Sequence, residues 1–354
     1  MTSILFNGSY LSKKNTGIGV VSKDLLNSLS AEKLTTLIPN DIGIRGDIYI
    51  PNNLSPSSGF YSHVRRLIWL QNSVPKLMKN LDAKYFLSPL LEAPLFTNVK
   101  SIVLAHDLIP IRYPSMSFIT LYHLIYIPLV LKQAKLILCN SISTANDLNR
   151  FYSVPMRKLF PINLGFNSKK YYPIKKVRKR FFLIIGRHNP HKNLDRVIQA
   201  FLLARINDYK LIFVGPFDKR HTPKLIKLIN ELNISHLCVW KGWINDDEKL
   251  SLLNECHALI IASIWEGFGL PALEAMACGT PVIASDQGAL PEVMGDYCYF
   301  VNPFNVKSIA LAMNSVVNDK KCFEKALQEG PARAMSFNWF DTARKIEKII
   351  EGID

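Results

Sequence analysis

Residues 258–285 constrain this chain more than any other stretch. Ala258 to Ala262 is an apolar, β-rich run that leads into the glycine-rich turn Ser263-Ile264-Trp265-Glu266-Gly267-Phe268-Gly269-Leu270. Then comes the helix-forming segment Pro271-Ala272-Leu273-Glu274-Ala275-Met276-Ala277-Cys278-Gly279. Proline belongs in the first helical turn and glycine just past the end, so both limits of a short helix are marked. Pro281 to Ser285 reads as the next strand. Strand, tight loop, helix and strand bring free backbone N–H groups and a helix N-terminus to one point, which suits an anion such as phosphate. Two carboxylates bracket the loop: Glu266 opens it, and Glu274 sits one turn into the helix. Carboxylate repels phosphate, so both are expected to face neutral hydroxyls, as on a sugar. An anion cradle between hydroxyl acceptors is the chemistry a nucleotide-sugar needs.

The rest of the chain supplies similar units. Strand-like runs at Ser3 to Phe6, Thr35 to Ile38, Asp47 to Ile50, Tyr85 to Pro89, Ser101 to His106, Leu136 to Cys139 and Lys158 to Ile162 alternate with helical patterns. The helical patterns include one running to Leu29 and one over Tyr61 to Leu81. The alternation predicts a parallel, doubly wound sheet. The pattern restarts at Phe181 to Ile185 and continues through Lys210 to Val214, Leu237 to Trp240, Ala258 to Ala262 and Pro281 to Ser285. Helices over Val306 to Val317, Lys321 to Ser336 and Trp339 to Gly352 end it. At 354 residues two domains are expected. No Asp or Glu lies between Leu148 and Leu194, and a basic run crowds Lys169 to Arg180. Asn167 to Lys179 is therefore read as the linker. The domains become 1–166, joined by about 337–354, and 167–336.

Composition narrows the partners. A hydrophobic fraction of 48% with 20% charged residues describes a globular chain. The net charge of +15 favours anionic partners: nucleic acid, acidic lipid or a phosphorylated substrate. The six cysteines are scattered singly, with no C-x-x-C pair, which fits buried free thiols in a reducing, cytoplasmic setting. Met1 to Asn7 shows no basic region followed by a long apolar core, so no signal peptide is expected. Phe118 to Cys139 is the most apolar long stretch, but His123, Pro128, Lys132 and Lys135 break it. Its uncharged part is too short to span a bilayer, and it reads as a buried or half-buried helix pair. His63, Arg65, Arg66, Trp69, Lys76 and Lys79 decorate the Tyr61 to Leu81 helix. They form either a solvated cationic face or a surface touching anionic lipid.

Several candidates sit at strand-to-helix junctions. Thr16-Gly17-Ile18-Gly19 forms a glycine entry to a helix, read as a phosphate loop or as an ordinary helix start. His106-Asp107 lies where open α/β sheets bind ligands, although an Asp capping the next turn gives the same pattern. Gly186-Arg187 and Lys192 follow the strand Phe181 to Ile185. A guanidinium fork and a point charge at a strand end suit two phosphates. Lys210 to Val214 ends in Gly215-Pro216, and Leu237 to Trp240 runs into Lys241-Gly242-Trp243. Asp246-Asp247-Glu248 invites a metal reading, but acids at a helix start stabilise its dipole without one.

Taken together these residues resemble the GT-B glycosyltransferases, specifically the retaining family four (glycosyl transferases group 1), bacterial O-antigen and exopolysaccharide members above all. The E-x7-E element Glu266 to Glu274 carries the resemblance, with Gly186-Arg187 and Lys192-Asn193 beside it. The resemblance implies two Rossmann-like domains facing across a cleft, with the final helix crossing back to the first. It implies that Arg187 and Lys192 neutralise the diphosphate and that Glu274 holds the ribose. Glu266, with the N–H groups of Gly267, Phe268, Gly269 and Leu270, would hold the donor hexose and β-phosphate. Gly17 and Gly19 would let the first-domain loop approach the donor, with His106 near the sugar and leaving phosphate. Gly186 and Gly215 would line the nucleotide site, and backbone from Val239 and Trp240 to Gly242 would meet the base.

The expected function is retaining transfer of a hexose from a nucleotide-diphosphate sugar to a glycan or polyprenyl-diphosphate-linked acceptor. The expected donor is a UDP-hexose such as UDP-glucose, with GDP-mannose as the alternative within the same fold. A non-catalytic nucleotide-sugar-binding protein is the alternative of another class. No cofactor and no metal are expected, because the cations already meet the leaving-group charge and no D-x-D follows a strand. Peripheral association with an anionic membrane at the inner face is a further expectation. Nucleic acid is not an expected partner, since the densest basic run lies in the linker. A nicotinamide dehydrogenase would need a third glycine after the first strand.

Overall fold

The computed structural model describes residues 3–12, 17–55 and 60–353. Met1, Thr16 and the Pro/Ser-rich loop at 56–59 lie outside the described residues. The chain divides into two compact units, Met1–Gly165 with Trp339–Asp354, and Phe166–Asn338.

In the first unit the elements run β1 (Ile4–Asn7), α1 (Gly17–Ser28), β2 (Leu34–Pro39), β3 (Ile48–Ile50), α2 (Phe60–Asn80), β4 (Tyr85–Ser88), β5 (Ser101–Ala105), α3 (Ile109–Arg112), α4 (Phe118–Gln133), β6 (Leu136–Cys139), α5 (Ile142–Tyr152) and β7 (Leu159–Pro161). The sheet is entirely parallel, in the order β3-β2-β1-β4-β5-β6-β7. Its strands are near-continuous apolar runs because helices shield such sheets on both faces. One core cluster gathers Leu5, Leu37, Leu70, Val74 and Phe86 under α2. Another gathers Val103, Ile127, Val130, Ile137 and Leu148 under α4 and α5.

The second unit runs β8 (Phe181–Ile185), α6 (Leu194–Ala204), β9 (Lys210–Val214), α7 (Thr222–Glu231), β10 (Cys238–Lys241), α8 (Asp246–Glu255), β11 (Ala258–Ile261), α9 (Leu270–Ala277), β12 (Val282–Ser285), α10 (Leu290–Met294), β13 (Tyr299–Val301), α11 (Val306–Asn318) and α12 (Lys320–Met335). Its parallel sheet has the order β10-β9-β8-β11-β12-β13. A last helix, α13 (Trp339–Glu351), belongs to the first unit. There it packs beside α1. Glu347 accepts from the backbone N–H of Ser30 at 2.8 Å, Lys33 pairs with Glu351 at 2.7 Å, and Thr342 donates to the Asn163 carbonyl at 2.6 Å.

Three expectations need correcting. Phe118 to Cys139 is one helix, α4, followed by a strand, not a helix pair. Pro128 sits within α4 without ending it. Asn167 to Lys179 is not a free linker but a strap on the second unit. Lys170 pairs with Asp246 at 2.5 Å, and Lys176 and Lys179 pair with Glu255 at 2.8 and 2.5 Å. Arg178 donates to the carbonyls of Leu253, Cys256 and Gly279 and to the Thr280 hydroxyl. The basic run thus answers the acids of α8 and the carbonyl ends of α8 and α9, where helix dipoles favour cations. The acidic start of α8 is likewise structural: Asn245 caps it by accepting from the Glu248 N–H, and Glu248 pairs with Lys241 at 2.6 Å.

Arg66 is the third correction. It does not decorate a solvated face but is 1% exposed. Its Nε and Nη2 donate to the two Glu92 oxygens at 2.7 Å each, and its Nη1 donates to the Leu54 carbonyl at 3.0 Å. Burial lowers the Arg66 pKa, but Glu92 more than offsets this and holds it above its ordinary value. Truncating one partner of a buried, bidentate pair leaves the other charge unpaired, at about 3–5 kcal/mol. Arg66→Ala should therefore lower the unfolding free energy of the first unit by an amount of that order, read from denaturant melts. Adding Glu92→Ala should restore much of it, and an additive double variant would contradict the pairing.

Candidate active site in the second unit

Strand order reverses between β8 and β11, and α/β sheets bind ligands outside the carboxyl ends of strands at such a switch point. β8 delivers Gly186 and Arg187, and the turn Pro190–Lys192 delivers Lys192. β11 delivers Ser263 and Glu266. Lys192 Nζ meets Glu266 Oε1 at 2.6 Å, and the Ser263 hydroxyl donates to the same oxygen at 2.5 Å. Burial pushes the Glu266 pKa up, but Lys192, with help from Ser263 and His191, holds the carboxyl below its ordinary value. Arg187 is exposed at the strand end and, among the described residues, has no acid or acceptor partner.

The loop 267–269 is buried. Gly269 stands at φ 97°, ahead of α9. The Glu266 carbonyl accepts from the Ala289 N–H at 3.0 Å, which ties the loop to the chain after β12. Among the described residues no protein acceptor is found for the N–H groups of Gly267, Phe268, Gly269 and Leu270. Those of Gly269 and Leu270 are orphan donors of a helix start, and those of Gly267 and Phe268 belong to the loop before it. Phe268 is turned inward, its ring 6.0 Å from that of Phe337.

Glu274 is buried on α9, with partners that no spacing in the chain points to. Lys249 of α8 pairs with it at 2.5 Å, and the Lys249 ammonium lies 4.9 Å from the centre of the Tyr171 ring. Burial, reinforced by the Glu274 charge, pushes the Tyr171 phenol far above its ordinary value. Tyr171 lies in the strap, so the segment expected to be a linker builds this corner of the site.

Backbone from Val239 to Gly242 is the segment expected to meet the base. Val239 and Trp240 lie inside β10, paired with Ile212 and Phe213. Trp240 stacks on Phe213 at 4.3 Å. Beyond the strand ends, a hollow of about 190 Å³ is lined by Arg187, Pro216, Phe217, Asp218 and Trp243. Trp243 directly follows the segment expected at the base, and Phe217 and Asp218 lie two and three residues past Gly215. Gly215 makes the junction possible. Its N–H donates to the carbonyls of Lys241 and Gly242, and at φ 153° a Cβ there would fall 1.9 Å from the Gly186 carbonyl oxygen.

His106, Gly17 and Gly19 belong to the first unit. His106 donates from Nε2 to the Pro89 carbonyl at 2.7 Å, which leaves Nδ1 as an acceptor. Its own carbonyl accepts from Asn140 at 2.7 Å. Burial pulls its pKa down to about 4, so the ring is neutral at neutral pH. Asp107 accepts from the Ile109 N–H at 3.0 Å, the capping role weighed for it. Gly17 and Gly19 are helical rather than part of a loop, since α1 begins at Gly17. Among the described residues no three His, Cys, Asp or Glu side chains gather as a metal ion would require.

Residues 169–332 match the family model described as glycosyl transferases group 1. An MMP alpha-(1->4)-mannosyltransferase of Mycolicibacterium hassiacum is 30% identical over 228 residues, covering 63% of this chain but only 55% of its own length. The O-antigen chain mannosyltransferase RfbU of Salmonella typhimurium is 28% identical over 274 residues and 76% of each chain. Among solved structures, the sucrose-phosphate synthase of Thermosynechococcus elongatus aligns over 100% of this chain and 99% of its own, with a TM-score of 0.79 at 19% identity. HepE of Anabaena, solved with UDP and glucose, aligns over 99% of this chain and 100% of its own, with a TM-score of 0.76 at 16% identity.

Two measurements check this geometry. Gly215→Ala forces a strained backbone onto a carbonyl and should cost about 3 kcal/mol or more, read as a drop in melting temperature; an unchanged melt would contradict the close approach. The second concerns His106, His123 and His191, whose pKa values burial pulls from the ordinary 6.5 to about 4. Above pH 6.5 both folded and unfolded states leave them neutral. Between about 6.5 and 4 only the unfolded chain takes up their protons, so stability falls as pH falls. The denaturant midpoint should decline from pH 7.5 to 5, and His123→Asn should flatten the slope by about one proton. A midpoint independent of pH would refute the burial.

Proposed function

Since the chain belongs to the group 1 glycosyltransferases of the GT-B fold, we propose that it transfers mannose from GDP-mannose to a glycan or polyprenyl-diphosphate-linked acceptor in surface-polysaccharide synthesis, with anomeric configuration retained. The relatives at 28–30% identity carry the sugar assignment, since they are named mannosyltransferases and one acts on O-antigen chains. They favour mannose over the UDP-hexose expected from the sequence. The solved structures are too distant in sequence to speak for the donor.

The chemistry follows from the second unit. Breaking the bond from sugar to diphosphate places charge on the leaving phosphate. Arg187, Lys192 and the orphan N–H groups of the loop before α9 stabilise that charge as it develops. Lys192 is fixed by Glu266, so it is aimed before the donor arrives. Glu266 and Glu274, each already paired with a lysine, grip sugar and ribose hydroxyls rather than phosphate. A double displacement would need a carboxylate on the face opposite the leaving group. Glu266 is committed to Lys192 and Ser263, which supports a same-face departure and attack in which the leaving phosphate takes the acceptor's proton. The fixed cations make a divalent metal unnecessary in this scheme.

A thermal-shift panel of GDP, UDP and ADP tests the donor, because a ligand that binds only the folded state raises its melting temperature. GDP should give the largest shift; a larger shift with UDP would return the donor to a UDP-hexose. With GDP-mannose and an acceptor extract, Lys192→Ala should lose about 10²–10³ in turnover, and EDTA should leave the wild type active. Full activity in Lys192→Ala would sink the phosphate assignment. Donor binding without turnover would favour a nucleotide-sugar sensor.

A further inference from the structure

α4 carries its apolar residues on both sides. Ile127, Val130 and Leu131 face the core of the first unit. Leu121, Leu124, Ile125 and Leu129 are 51%, 60%, 60% and 37% exposed. Met116, Phe118 and Ile119 extend the exposed apolar surface at the N-terminal end. At 3.6 residues per turn, Leu121, Ile125, Pro128 and Lys132 fall on one stripe. That stripe is aliphatic for three turns and ends in a cation. Monomeric proteins rarely leave a ridge of this kind facing water.

The charge around it has one sign. No Asp or Glu occurs between Leu108 and Asn146. Lys132 and Lys135 stand exposed at the C-terminal end of α4. Lys158 donates to the carbonyls of Lys132 and Ala134, which brings exposed Arg157 to the same end. Asp147, the next acid along the chain, is taken by Arg112.

We propose that this outward face of α4 docks on an anionic phospholipid bilayer, with the aliphatic stripe in the acyl boundary and Lys132, Lys135 and Arg157 on the headgroup phosphates. An aliphatic stripe with basic residues beside it is the pattern of an interfacial helix. The helix does not cross: no helix among the described residues is long and apolar enough to span a membrane. The aliphatic part of the stripe, before Lys132, offers no hydrogen-bonding side chain to set the register of a protein partner. A second copy would bring another chain of net charge +15 against this one. The face also differs from the cationic surface of α2 that the sequence suggested, whose Arg66 is buried.

The test is co-sedimentation of the full chain with vesicles of phosphatidylcholine, alone and mixed with phosphatidylglycerol. The wild type should bind the mixed vesicles and largely ignore the neutral ones. The double variant Leu124→Ser with Ile125→Ser should bind the mixed vesicles about tenfold more weakly. Lys132→Gln with Lys135→Gln should lose the preference for anionic lipid. Both variants should keep the wild-type circular dichroism and nucleotide-induced thermal shift, which separates lost docking from lost folding and from the donor assignment. Equal binding by the serine variant, or no vesicle binding by the wild type, would overturn the proposal. So would a wild-type dimer in light scattering that the serine variant dissolves.

Discussion

The ion pair between Lys192 and Glu266 is the contact on which the rest of the second unit turns. The carboxylate is not stable alone at its depth. Glu266 is buried, and an unpaired carboxylate there would be strongly disfavoured. At 2.6 Å the ammonium keeps the carboxyl ionised and the carboxylate keeps the ammonium in one place. The pair can form only because β8 and β11 are neighbours and their following loops leave on the same edge. The glycines serve that closure. Gly215 lets the chain after β9 pass against Gly186, and Gly288 lets the chain after β12 close on Glu266, where a Cβ would come within 2.5 Å of its carbonyl oxygen.

Much of this was legible in the sequence. Alternating apolar runs and helical patterns placed twelve of the strands within about a residue of where they lie. The proline and glycine limits of α9 and the cations after β8 were equally visible. What escaped had a common physical cause. β13 is three residues long and lies at the sheet edge, paired only with β12, so its pattern is too short to read. Arg66 was read as surface and Tyr171 as linker, and Lys249 was not singled out, yet each is turned inward by a partner distant in sequence: Glu92 lies 26 residues from Arg66, and Glu274 lies on a different helix from Lys249. Periodicity reports that a residue lies on one face, and says nothing of which charge waits there.

α4 shows the same limit from the other side. A uniformly apolar helix reads as buried all round, because in water that is where such a helix is stable. Only the packing reveals that Ile127, Val130 and Leu131 already fill the available core, leaving Leu121, Leu124, Ile125 and Leu129 outside it. Hydrophobicity in a sequence states a demand for a non-aqueous neighbour. The fold decides whether the protein supplies that neighbour itself.

The paired lysines bear on how a donor would be told from its fragments. Glu266 and Glu274 each rest against a lysine, so neither carboxylate is left to repel an incoming diphosphate at full charge. On the donor reading, a phosphate that reaches Lys192 competes with Glu266 for the same ammonium. The carboxylate then needs another donor close by, and the Ser263 hydroxyl satisfies only part of its capacity. A sugar hydroxyl can make up the difference, and water does so less well in a buried loop. A nucleoside diphosphate without its sugar would leave Glu266 short of hydrogen bonds, whereas the intact nucleotide-sugar would not. On that reading, recognition of phosphate and of sugar would be coupled through one lysine. That coupling gives the E-x7-E element a reason to keep its first carboxylate beside an anion site, where electrostatics alone would exclude it.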